Sequence, residues 1–194
     1  SPSPAGGGGS GEPLPASAPT NPYQLTAWCY GAMDEWVTIY DRVKPQLIRI
    51  DKTFGTTVKN EKEPYESDMA AARAELKVLA GAITAAEKAS PQPIAEQGAD
   101  EIRAGRSIWT PAESKSQREL ADAWLTWGMP DKCDTVARQL AASSALLGQA
   151  LKYNNPSALD AAAPAPASPE AAPPADATPD ATPPPADAAP KPQL

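Results

Sequence analysis

Residues 21–54 read NPYQLTAWCYGAMDEWVTIYDRVKPQLIRIDKTF. Leu25, Trp28, Cys29, Ala32, Met33, Trp36, Val37, Tyr40, Val43, Leu47, Ile50 and Phe54 recur at mostly three- and four-residue steps, which makes one wide apolar face on an α-helix. Asn21 supplies a capping oxygen, Pro22 suits the first helical position, and Gln24 stands where a capping-box partner would. Pro45 removes one backbone donor. Because the apolar pattern continues past it, Pro45 predicts a kink rather than an end. Gly55 is a natural terminator.

The rest of the chain repeats this grammar. Tyr65, Met69, Ala72, Leu76, Leu79, Ile83 and Ala86 alternate steps of four and three, so a second helix starts near Pro64 and carries a narrow, heptad-like seam. Ser90-Pro91-Gln92-Pro93 breaks it. A third, weaker helix spans Ile94 to Ile108, with Gly98 and Gly105 each costing roughly 1 kcal/mol of helix propensity. Thr110-Pro111-Ala112-Glu113 reads as a capping box that opens a fourth helix bearing Leu120, Ala123, Trp124 and Trp127. Gly128-Met129-Pro130 stops it. A fifth opens at Asp131 and sets Cys133, Val136, Leu140, Leu147 and Leu151 on one face, with Ser143-Ser144 filling a gap. No segment has the period-two alternation of a strand. The expected fold is therefore all-α: an up-and-down helical bundle of four to five helices.

Composition sets the boundaries. All five Trp, all five Tyr and the single Phe lie between Tyr23 and Tyr153. Residues 1–20 contain no aromatic residue, and residues 156–194 hold 12 Pro and 14 Ala. Neither segment carries enough bulky apolar surface to offset the entropy of ordering it. The expected organisation is a disordered Gly/Pro/Ser-rich arm over 1–20, a bundle over 21–154, and a disordered Ala/Pro-rich acidic tail over 155–194. In composition these arms resemble those of exported envelope proteins from GC-rich bacteria.

Charge and residue chemistry exclude several functions. The formal charge is −7, concentrated in the C-terminal arm, where Asp160, Glu170, Asp176, Asp180 and Asp187 face only Lys191. With mixed charges on the bundle and no basic patch, nucleic acid is not an expected partner. No apolar run approaches the roughly 18 residues of a membrane span. The chain has no histidine, which removes Ser-His-Asp and Cys-His catalysis, the usual zinc sites and haem attachment. Asp34, Glu35, Asp41, Glu66, Asp68 and Glu75 read as solvated helix faces rather than metal ligands. Neither a metal nor any other cofactor is expected.

Two features remain. Cys29 and Cys133 both fall on apolar faces without CxxC spacing, the pattern of a structural disulfide in an oxidising compartment. Redox-active or free buried thiols are the alternatives. In an up-and-down order the first and fifth helices run the same way, and both cysteines sit near one end of it, within bonding reach after a modest axial offset. The second feature is the set Trp109, Leu120, Trp124 and Trp127. It is either core packing in an Ala-rich bundle or an aromatic patch that binds a ligand or a partner. The leading functional expectation is a non-catalytic exported module, periplasmic or otherwise extracytoplasmic, structural or interacting with another envelope protein. The alternative is a small-molecule-binding bundle with its pocket at Trp109, Trp124 and Trp127. An enzyme working through carboxylates alone is a weaker third.

Overall fold

A computed structural model of the chain describes residues 12–55, 63–147 and 157–164. The described residues form seven helices: α1 (Pro22–Thr53), α2 (Glu66–Ala89), α3 (Ala95–Ser107), α4 (Thr110–Glu113), α5 (Gln117–Thr126), α6 (Asp131–Leu147) and α7 (Ala158–Ala161). The all-α bundle expected from periodicity is the fold. No strand occurs among the described residues.

The start of α1 forms as its sequence dictates. The Asn21 side chain accepts hydrogen bonds from the amides of Tyr23 and Gln24 at 3.0 and 3.1 Å. The helix runs through Pro45 without interruption and ends at Phe54, followed by Gly55 at φ +69°. Its apolar stripe widens toward the N-terminus until Leu25 to Cys29 are buried all round, the signature of a helix enclosed by others. α1 is accordingly the central post, packed against α2, α3, α5 and α6.

Long-range contacts fix the directions. Tyr23 at the start of α1 bonds Glu87 at the end of α2, while Tyr40 bonds the Pro64 carbonyl just before α2, so these two helices are antiparallel. α3 runs parallel to α1: the Tyr23 hydroxyl also meets the Ile94 carbonyl at 3.3 Å, and Trp109 donates to the Ala32 carbonyl. α5 runs back down α1, with Glu113 paired to Arg42 before it and Trp124 beside Trp36 further on.

The last major helix departs from expectation. Cys133 meets Cys29, and Ala137, Leu140 and Leu25 share one apolar cluster, so α6 descends along α1 rather than running the same way. The expected reversal at Gly128-Met129-Pro130 does not occur. Trp127 leaves α5 extended, at ψ 139°. Pro130 disfavours helix at the residue before it, so the link stays open and α6 continues the course of α5. Two helices thus form one broken rod, and the bundle keeps an up-down-up-down order with α5 and α6 as its fourth member.

The fourth predicted helix is itself divided. Thr110 is not an N-cap; Trp109 holds that position without a side-chain bond, and α4 is a single turn. The capping box lies six residues on. The Ser116 hydroxyl accepts from the Glu119 amide at 3.3 Å, and the Glu119 carboxylate accepts from the Ser116 amide at 3.1 Å. Given that alternative, the chain restarts there as α5. Ser116→Ala should cost about 1 kcal/mol in urea unfolding, whereas Thr110→Ala should change little.

Further differences lie at the ends. Leu147, expected in the core, is 60% exposed, and the buried residues of α6 are Cys133, Ala137 and Ser144. Leu151 lies outside the described residues. Within the stretch read as an N-terminal arm, Leu14 and Ala18 pack against the cluster around Cys29. Within the stretch read as a tail from 155, Ser157 caps α7, and Ala158 is fully buried. Small residues escaped the composition criterion because they fit a narrow cleft that needs no bulk.

Candidate functional site

The tryptophans were the most informative residues in the sequence, and the fold divides them into two roles. Trp36 on α1 and Trp124 on α5 stack with ring centroids 4.2 Å apart and planes 7° from parallel. Each indole N–H donates to the other residue's backbone carbonyl, at 3.0 and 2.9 Å. Tyr40 and Tyr65 enclose the Trp124 ring at 5.7 and 5.6 Å. Leu120 is buried in the same cluster. Trp124 and Leu120 therefore belong to the core. Their polar groups are satisfied internally and nothing is left to offer a ligand.

Trp109 is buried in the same core cluster, at 3% exposed, but it and the half-buried Trp127 also reach a surface groove. Trp109 anchors its N–H on the Ala32 carbonyl at 3.0 Å, and Trp127 meets it edge-on at 5.4 Å. Together with Glu12, Ile108, Ala112, Ala123 and Thr126 they line an open groove of about 220 Å³. α4 and the end of α5 supply its walls. Ala112 and Ala123 keep those walls shallow, and Trp127, half-buried, carries the exposed indole surface of the groove, while Trp109 is buried beneath it. The groove is smaller than the 300–1,000 Å³ usual for a small-molecule pocket, and its one acidic group is Glu12.

Of the four residues grouped in the sequence, Trp109 and Trp127 meet at this groove and Trp124 and Leu120 do not. Ala112, Ala123 and Thr126 were missed, although each lies within four positions of Trp109 or Trp127 on a helix. Nothing in the sequence marks Glu12.

The buried phenols are locked as donors. Burial and Glu63 push Tyr40 up to about 12, and burial with the hydrogen bond to Asp51 does the same to Tyr65. Burial, reinforced by Glu87, raises Tyr23.

Three of the carboxylates read as solvated from the sequence depart from that reading, and burial raises the partly buried Asp68. Glu35 lies among the Asp34–Arg106 and Arg42–Glu113 ion pairs and is raised by burial first and by Glu113 second. Glu75 is 6% exposed, and its Oε1 has no hydrogen-bond partner among the described residues. Burial raises it, Asp134 adds to that, and Arg138 opposes. The folded protein thus holds the Glu75 proton more tightly than the unfolded chain does. The cost of its charge is absent below about pH 4 and grows as pH rises through the folded value. Glu75→Gln, whose amide can donate to Asp134, should stabilise the protein at pH 7.5, where the buried carboxylate would otherwise be charged. Thermal melts across pH should show that gain vanishing near pH 4.

Cys29 and Cys133 form a disulfide with Cα atoms 5.9 Å apart, both side chains fully buried. Among the described residues no three His, Cys, Asp or Glu side chains are grouped to hold a metal, and no helix is long and apolar enough to cross a membrane. Compared with protein families, curated proteins and solved structures, the chain matches none.

Proposed function

We propose that the chain is a non-catalytic, extracytoplasmic interaction module, a covalently pinned helical body that engages another protein of the cell envelope. The observation that carries this reading is the fully buried Cys29–Cys133 disulfide, which belongs to an oxidising compartment. Burial removes it from thiol exchange and leaves it a structural part. The Trp109/Trp127 groove supplies the contact surface. It is shallow, open and aromatic, suited to an inserted side chain of a partner rather than to enclosure of a small molecule.

The test uses the full chain as bait in extract of the native envelope. Capture of a discrete partner should be abolished by Ala112→Arg and by Trp127→Ala, and retained by the surface control Arg118→Ala. Equal capture by all three variants contradicts the groove. Tight binding of a small metabolite that protects Trp127 fluorescence from quenching, without a protein partner, favours the alternative pocket reading.

A further inference from the structure

The short helix α7 is held by a recognition site built into the rest of the fold. Glu87, only 3% exposed, accepts the Ala158 amide at 2.8 Å and the Tyr23 hydroxyl at 2.9 Å through the same Oε1. At the other end Arg103 donates to the Ala161 carbonyl at 2.9 Å, and Arg106 donates to the Ala162 carbonyl. Arg106 is oriented for this by Asp34 at 2.8 Å. Between the two ends α3 has Gly98. A Cβ there would lie 2.2 Å from the Tyr23 hydroxyl and 2.8 Å from the methyl of the fully buried Ala158, so the cleft fits a small first residue between a glycine and a tyrosine and has no room for a larger one.

These contacts read a peptide by its ends. A carboxylate takes a first-turn amide, two guanidiniums take last-turn carbonyls, and a missing Cβ sets the size of the first side chain. A four-residue helix has no stability of its own, so Ser157–Ala163 is helical because it is docked. Pro156 and Pro164 bound the segment and stop it from joining a longer helix. Nine residues, 148–156, separate it from the last described residue of α6. That connection spans up to about 30 Å, so the segment can leave the cleft without disturbing the bundle.

The geometry points to a peptide-binding cleft formed by Tyr23, Glu87, Gly98, Arg103 and Arg106, filled by Ser157–Ala163 of its own chain and open to exchange with the same segment of a second copy. A second copy carries the ligand that fits, residue for residue, which is the condition for low-cost segment swapping.

The experiment uses full-length chains. One carries p-benzoylphenylalanine at the exposed position 160 and normal isotopes. The acceptor is isotopically heavy and bears Ala158→Trp, which Gly98 cannot accommodate, so its own segment no longer competes. A tethered segment competes at an effective concentration of about 1 mM, so at about 0.1 mM chain the vacated acceptor should give roughly tenfold more inter-chain adduct than a heavy wild-type acceptor. The adducts should map to residues 94–106. Ala158→Glu, which sets a second carboxylate against Glu87, serves as acceptor if the Trp variant loses its near-ultraviolet circular dichroism. Adducts confined to the donor's own chain, with either vacated acceptor, overturn exchange. Adducts that avoid residues 94–106 overturn the cleft itself.

Discussion

Replacing Cys29 and Cys133 together by alanine is expected to destabilise the protein by about 4.7 kcal/mol, the chain-entropy value for closing a loop of about a hundred residues. The bond joins positions 104 residues apart. It ties α6 to the central helix at the point where the open link after Trp127 would otherwise let α6 swing free. The melting temperature should fall by roughly 10–20 °C, and reductant should produce a similar fall in the wild type under conditions that open the core. α6 should loosen before the rest. Hydrogen exchange along Asp131–Leu147 should accelerate more than exchange in α2 or in the first half of α1. A loss under about 1 kcal/mol would mean that the unfolded chain already holds these segments together.

The second large effect concerns two glycines. A Cβ on Gly31 would stand 1.9 Å from the Ile102 carbonyl oxygen, and one on Gly105 would stand 2.0 Å from that of Trp28. Both obstacles are backbone, so no side chain can rotate away. α1 and α3 must separate. Trp109 would then lose its hold on the Ala32 carbonyl, and the groove would lose its floor. Gly31→Ala and Gly105→Ala should each cost about 3 kcal/mol or more, at or beyond the upper end for overpacking. Gly81 is the internal control. It lies exposed within α2 with nothing within 4 Å of its would-be Cβ, so Gly81→Ala should stabilise by about 0.5–1 kcal/mol. Guanidinium unfolding of the three variants reads both signs.

These glycines illustrate what sequence carries and what it does not. Gly105 registers only as a helix penalty when the chain is read alone. In the fold that penalty permits two parallel helices to touch backbone to backbone. Periodicity revealed α1 and α2 because each buries a repeating stripe, it found α6 but misplaced part of its stripe, since Ala137 and Ser144 are buried and Leu147 is exposed, and Asn21 marked its helix start correctly. Thr110-Pro111-Ala112-Glu113 and Ser116-Gln117-Arg118-Glu119 have equivalent capping patterns. Local sequence does not say which one the anchored Trp109 leaves in place.

The cysteine pairing was legible although the helix direction was not. α5 occupies the first part of the descending rod, so α6 begins part-way along α1, and Cys133 in its first turn lies level with Cys29, two turns into α1. At the groove, aromatic residues identified Trp109 and Trp127. The reciprocal bonds that withdraw Trp124 into the core join carbonyls and indoles 88 residues apart, and no local pattern encodes that. Glu75 reads as a surface acid because charge was weighed by helix phase, and nothing in the sequence singles out Glu87. Their burial follows from α6 and α7 covering those faces.

The packing of the fourth rod and the proposed extracytoplasmic address both rest on one covalent bond. Protein taken from its native source, alkylated under denaturing and non-reducing conditions and digested, tests this directly. A single linked peptide pair containing Cys29 and Cys133, with no alkylated cysteine, is the predicted result. Two alkylated cysteines in freshly isolated protein would contradict it.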